Sequence, residues 1–222
     1  MEYKRITLFA GHYGSGKTNI AVNYAIEMRK AGRPVRIADL DIVNPYFRTK
    51  DSADRLAEAG IELISSAYAN SNVDIPALPA QMYALTDDKS FHAVMDIGGD
   101  DRGALALGRY APAILAEGDF EMLFVANMYR PLTRTPAEAL EVMREVEDAG
   151  GIPFTAIVNN SNIGAETKLE DILASVSYAE ELSRLSGLPV KMTAIREDLM
   201  DALTGKIEKL FPLTLQKKYA WN

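Results

Sequence analysis

The stretch "AGHYGSGKTN", residues 10–19, places Gly11, Gly16, Lys17 and Thr18 at the spacing G-x-x-x-x-G-K-T. It follows the apolar run of residues 5–10. After it, Ile20, Tyr24 and Met28 recur at helical spacing in a segment that ends near Gly32 and Pro34. A glycine-rich turn between a strand and a helix is an anion cradle. Its successive backbone N–H groups wrap phosphate oxygens, and the positive end of the helix dipole adds to them. Glycines let the main chain approach closely, Lys17 reaches the terminal phosphates, and the Thr18 hydroxyl can ligate magnesium. The expected nucleotide site is therefore the loop itself, from Gly11 through His12, Tyr13, Gly14, Ser15 and Gly16 to Lys17, Thr18 and Asn19. Lys17 is its first catalytic candidate. A chance glycine turn is the alternative, and the order strand, loop, helix argues against it.

Working outward, short apolar runs alternate with longer stretches of helical period. That pattern predicts an α/β fold, a mostly parallel sheet flanked by helices on both faces. Strands are expected at residues 5–10, 35–39, 61–65, 93–97, 122–127, 154–159 and 190–193. Further helices are expected at 52–59, 77–85, 104–116, 135–149, 168–186 and 198–210. No repeat, low-complexity block or linker interrupts the chain, so residues 1–222 read as a single nucleotide-binding domain. Residues 67–79, rich in polar and turn residues, read as a long surface loop.

Two acidic segments fall at predicted strand ends. In "MDIGGDD", residues 95–101, Asp96 can hold magnesium through water, and Asp96, Gly98 and Gly99 satisfy D-x-x-G. A glycine N–H there can sense a γ-phosphate, which makes the following loop a switch. In "ADLDIVNPYFR", residues 38–48, Asp39 and Asp41 lie two apart and share a face if the strand continues. One of them would orient an attacking water or bind magnesium through water, and the other would fix the first. Asp41 is the second catalytic candidate, and Thr18, Asp39, Asp41 and Asp96 form the candidate metal set. Solvated turn carboxylates are the bland alternative for both segments.

The base pocket is sought in "AIVNNSNIG", residues 156–164. Guanine-specific switches use N-K-x-D, whose aspartate accepts two hydrogen bonds from guanine. Here Asn159, Asn160, Ser161 and Asn162 align with it, and the carboxylate is missing. Asn159 can instead read adenine's amino group and ring nitrogen, so ATP is expected ahead of GTP. Loop chemistry is the alternative for Asn160 and Asn162.

Composition excludes several classes. The chain has 222 residues, 24 basic against 31 acidic, and a net charge of −7. That balance disfavours nucleic-acid binding as the main activity. It has no cysteine and two histidines, His12 and His92, so thiolate metal sites and cysteine nucleophiles are out. No apolar stretch is long enough to span a membrane, and a cytoplasmic protein is expected. In the tail "KIEKLFPLTLQKKYAWN", Pro212 interrupts the apolar pattern, and Leu210, Phe211 and Leu213 can equally pack on the core. Membrane docking is therefore not expected.

Together "GHYGSGKT", "DLD", "DIGGD", the strand ending in Asn159 and a strand leading into "IREDL" resemble the MinD/ParA (CobQ/CobB/MinD/ParA) family of P-loop ATPases, relatives of the nitrogenase iron protein. The resemblance implies a magnesium-dependent ATPase, slow, binding ATP and ADP. Such a protein works as a nucleotide-dependent conformational switch on a protein partner and forms an ATP-dependent homodimer. It also implies a loose base contact near Arg196, whereas Asp198 itself reads as a cap for the final helix. The chain departs from the family at His12, where many members carry a lysine that reaches across the dimer. A neutral imidazole is shorter and supplies no fixed charge; Arg48, Arg102 or Arg130 could supply a substitute, with a plain surface position as the alternative for each. Relatives of the dethiobiotin synthetase kind also lack that lysine. An ATP-dependent small-molecule synthetase therefore stays open, as does a nucleotide-binding partner subunit with little hydrolysis.

Overall fold

The first expected strand forms as β1 (Ile6–Ala10), at the centre of the sheet in a computed structural model that describes residues 2–40, 52–65, 83–99, 105 and 107–215. Asp41, Arg48, Arg102, the loop at 67–79 and the last residues of the tail lie outside the described residues. The other strands are β2 (Val35–Leu40), β3 (Glu62–Ser65), β4 (His92–Ile97), β5 (Phe120–Ala126), β6 (Ala156–Asn159), β7 (Val190–Arg196) and β8 (Leu210–Leu213). They make one eight-stranded sheet in the order β3-β2-β4-β1-β5-β6-β7-β8, and every neighbouring pair is parallel. The chain runs outward from β1 to β3, returns to β4, then crosses to the other side. Beside β1 the strand order reverses, and in open parallel sheets ligands bind at the carboxyl ends of the strands next to such a reversal.

Helices cover both faces of the sheet. Helix α1 (Lys17–Lys30) lays Ile20, Tyr24 and Met28, all fully buried, on the face that carries Phe9, Val94, Leu123 and Val125. Each such burial stabilises the fold by about 1.5–3 kcal/mol. The opposite face carries Leu8, Met95 and Phe124. It is covered by α4 (Ala111–Glu117), α5 (Pro136–Gly150) and α6 (Leu169–Ser186) through Ile114, Met143, Tyr178 and Leu182. Between β2 and β4 sit the short helices α2 (Ala53–Glu58) and α3 (Ala84–Asp87), and α7 (Met200–Leu203) follows β7.

Three expectations are corrected. The helix expected at 198–210 stops at Leu203, and Leu210–Leu213 is an eighth strand. Pro212 has no N–H to give a helix, but an edge strand tolerates it. Phe211 and Leu213 are buried against the α1 face, with the Phe211 ring 6.1 Å from that of Tyr24. The helix expected at 104–116 breaks into two pieces. Residues 105, 107 and 108 are helical, and α4 begins only after a turn at Arg109–Tyr110, with Pro112 in its first turn, where the missing N–H is harmless. Of the helix expected at 77–85, the described part is helical only from Ala84. Among the described residues no helix is long and apolar enough to cross a membrane.

Candidate functional site

Between β1 and α1 the chain turns through residues 11–16 with no room for side chains at two points. Gly11 has φ +147°, and a Cβ there would stand 2.6 Å from the Val125 carbonyl oxygen of β5. Gly16 has φ +91°, and a Cβ there would collide with the Asn160 amide. Only glycine fits both the dihedral and the space. Ser15 N–H donates to the His12 carbonyl at 3.1 Å, which closes the loop. Among the described residues no side chain caps the start of α1, which leaves the N–H groups of its first turn to a ligand. Lys17, only 5% exposed, donates from Nζ to the His12 carbonyl at 3.2 Å and so lies folded along the loop. Thr18 is 7% exposed. The Ser15 hydroxyl is buried and has no hydrogen-bond partner among the described residues, an expensive condition for a polar atom unless a ligand satisfies it. The glycine cradle, the uncapped helix and the orphaned hydroxyl all fit a bound phosphate chain.

The carboxylates come next. Asp39 on β2 and Asp96 on β4 are register partners, at 8% and 0% exposure. Both lie at the carboxyl end of the sheet, where the phosphate loop also leaves it. Magnesium is commonly held by one or two carboxylates together with substrate phosphates, and Thr18, Asp39 and Asp96 suit that arrangement. After Asp96, Gly98 is buried and Gly99 lies on the phosphate loop itself. A Cβ on Gly99 would stand 2.7 Å from both Lys17 Nζ and Tyr13 N. The D-x-x-G segment and the phosphate loop are thus in direct contact. Tyr13 is half exposed, and Asn19 lies one turn before Asn23, whose amide donates to the Asn19 carbonyl at 2.7 Å.

On the other flank the loop after β6 is built by its own asparagines. Asn159, fully buried, donates to Ser175 Oγ at 2.8 Å and accepts from Ser161 N–H at 3.2 Å. Its amide is spent on tying β6 to α6. Asn160 donates to the Ser15 carbonyl at 2.6 Å and so braces the phosphate loop. Asn162 donates to Asn160 and accepts from Gly164 N–H, folding the loop over itself. Arg196, the last residue of β7, pairs with Asp198 at 2.6 Å and donates to the Ala165 carbonyl, which joins the turn after β7 to the β6 loop. Asp198 serves this pair rather than capping a helix. The guanidinium, with its hydrogen bond first, holds the Asp198 carboxyl below the usual range.

Loop chemistry is the sequence alternative for Asn160, and its bond to Ser15 makes it a structural part of the site. A paired asparagine at the end of a strand beside a glycine loop is the signal that was available. Of the three arginines considered, Arg130 is brought to the loop, where its Nε donates to the Gly14 carbonyl at 2.7 Å. His12 is partly buried. Burial first, and the Lys17 charge second, push its imidazole below the ordinary histidine value, so it is neutral at pH 7.

No protein-family model matches the chain, and no curated protein matches it either. Solved structures do match. Cell division protein FtsY from Thermotoga maritima aligns with a TM-score of 0.61 at 16% identity, over 88% of this chain and 63% of that one. The signal recognition particle receptor FtsY from Elizabethkingia anophelis, in complex with GDP, aligns with a TM-score of 0.53 at 16% identity, over 90% of this chain and 60% of that one. The 54 kDa signal recognition particle protein from Aeropyrum pernix K1, also in complex with GDP, aligns with a TM-score of 0.53 at 15% identity, over 85% and 40%. The chain therefore spans about three fifths of those FtsY chains. Such identities speak for the fold alone. With its parallel eight-stranded sheet and its glycine loop between β1 and α1, the chain has the fold of a P-loop nucleoside triphosphatase.

Proposed function

We propose that this protein binds a nucleoside triphosphate with magnesium at residues 11–19 and hydrolyses it slowly, as a conformational switch acting on a protein partner. The observation that carries the reading is the contact between Gly99 and Lys17 with Tyr13. A shift of the phosphate loop toward Gly99 would displace that glycine, because not even a Cβ fits between them. Lys17 and the loop N–H groups bind the phosphates, and Thr18, Asp39 and Asp96 hold the metal. Magnesium, when bound, neutralises phosphate charge. Asp41 orients the attacking water. ATP is the expected nucleotide, since Asn162 stands where guanine recognition wants a carboxylate. The MinD/ParA resemblance, a single domain over residues 1–222, an ATP-dependent homodimer and a cytoplasmic location belong to the same reading. GTP is the second reading, favoured by two structural neighbours that carry GDP.

Competition between ATP and GTP for the purified protein separates the two readings, and a GTP preference overturns the first. The switch is tested by hydrogen exchange of the segment after Gly99, with ADP against a non-hydrolysable triphosphate. Equal exchange in the two states would remove it. In single-turnover assays Asp41→Ala is expected to bind the triphosphate normally and to hydrolyse it about 10²-fold more slowly. Wild-type turnover would reduce Asp41 to a turn residue.

A further inference from the structure

Arg130 is mounted with more care than a surface arginine requires. Its N–H donates to the Asn127 carbonyl at 3.1 Å, and its own carbonyl accepts from Thr133 N–H at 3.2 Å. Pro131 follows it and disfavours a helical backbone there, and Arg130 is extended at φ −108°, ψ 144°. The turn is anchored from beneath. Fully buried Thr133 donates from its hydroxyl to the Asn127 carbonyl at 2.8 Å, and Tyr178 OH donates to the Thr133 carbonyl at 2.8 Å.

From that mount the side chain reaches 116 residues back along the chain to the phosphate loop. Nε donates to the Gly14 carbonyl at 2.7 Å, and Cδ and Nε both lie 3.6 Å from where a Cβ on Gly14 would sit. The guanidinium is thus laid against the loop where Gly14 has no side chain to hold it off. A guanidinium has five N–H donors, and Nε spends one of them. Among the described residues the four on the two Nη atoms make no hydrogen bond, and no carboxylate pairs with them. A charged fork at a loop built for anions, with most of its donors unspent, suits phosphate oxygens, which it can engage two at a time.

We propose that Arg130 is a second phosphate-reading cation of the nucleotide site, supplied from the turn after β5 and directed to the phosphate chain by its clamp on the Gly14 carbonyl. The inference rests on the phosphate-loop reading above. Its ligand class is the polyphosphate of a nucleotide, whichever base is attached.

The test measures affinity for ATP, GTP and AMP, with magnesium, in the full-length wild type and in Arg130→Gln, Arg130→Lys and Lys17→Ala. Arg130→Gln keeps an N–H donor and loses the charge. It is expected to weaken both triphosphates about tenfold, in line with a charge-assisted hydrogen bond. It should leave AMP affinity and the nucleotide-free melting temperature unchanged. Arg130→Lys should recover part of the loss, and the wild type should lose triphosphate affinity more steeply with salt than Arg130→Gln does. Normal triphosphate binding by Arg130→Gln, while Lys17→Ala is defective, overturns this inference and leaves the phosphate loop standing. So does an equal loss for AMP and the triphosphates, or a lowered melting temperature with the salt dependence unchanged, since a loop brace alone would give either. Normal binding by Lys17→Ala overturns the phosphate-loop reading and this inference with it.

Discussion

The two ends of the sheet put their buried charged groups to different uses. At the amino end Arg5 and Glu121 are paired within the protein. Arg5, 7% exposed, donates to Glu117 at 2.7 Å and to the carbonyls of Leu85 and Thr86, fastening α3 and α4 under β1. Glu121, 6% exposed, accepts from Thr7 at 3.1 Å and Tyr24 at 2.8 Å and pairs with Lys191. Burial first, and the Glu121 charge next, raise the Tyr24 hydroxyl far above its ordinary value, so it stays a donor at any ordinary pH. At the carboxyl end Lys17, Thr18, Asp39 and Asp96 are gathered just as deeply, beside a Ser15 hydroxyl with no hydrogen-bond partner among the described residues and glycines that leave no side chain in the way. Arg5 and Glu121 tie distant elements together, whereas Lys17, Thr18, Asp39 and Asp96 surround a glycine cradle.

The largest effects should divide along that line. Glu121→Ala strands Lys191 and the Tyr24 hydroxyl, and is expected to cost about 3–5 kcal/mol of stability by chemical denaturation. Nucleotide affinity should be unaltered at temperatures where the variant is folded. Lys17→Ala should do the reverse, weakening triphosphate binding by about 10²-fold in calorimetric titration while leaving the melting curve nearly in place. If Glu121→Ala abolished binding in the folded protein, or Lys17→Ala unfolded the chain, the division between the two ends would fail.

A smaller effect sharpens the role of the elements between them. Thr135 and Glu138 form a reciprocal cap on α5, with Glu138 N–H donating to Thr135 Oγ1 at 3.2 Å and Thr135 N–H to Glu138 at 2.8 Å. Thr135→Ala should cost about 1 kcal/mol of stability and nothing in affinity. A measurable affinity loss would mean that α5 belongs to the site.

The smallest effect is a pH dependence. His12 and His92 both have their imidazoles pushed below the ordinary value by burial first, with the charges of Lys17 and Arg33, respectively, next. The native state therefore binds fewer protons than the unfolded chain just below pH 6.5. The stability that the neutral rings contribute is complete above that pH and is lost as pH falls through the folded values. Melting temperature followed downward from pH 7.5 should decline below 6.5, and less so in a His12→Gln, His92→Gln double variant. An identical decline in the variant would assign it to carboxylates.

Much of the fold was legible in the chain because its signals are local. The strand–loop–helix order around Gly11–Thr18, the stripe of Ile20, Tyr24 and Met28, and the start of α5 at Pro136 behind Thr135 each follow from neighbours within a few residues. The spacing of Gly11 and Gly16 and the strand-end positions of Asp39 and Asp96 are local in the same way. Tertiary structure decided what depends on distant partners. Leu210–Leu213 carries a pattern compatible with a helix. It became a strand because β7 offered an unpaired edge and the α1 face a place for Phe211 and Leu213. The asparagines after β6 have the same composition whether they read a base or build a loop. The nearness of Ser175 and Ser15, 16 and 145 residues away in sequence, commits Asn159 and Asn160 to the structure. Arg130 looks like any exposed arginine until β5 sets its turn beside Gly14. Hydrophobic period and backbone chirality are properties of a segment and survive in the sequence, whereas a hydrogen-bond partner across the sheet exists only once the chain has folded.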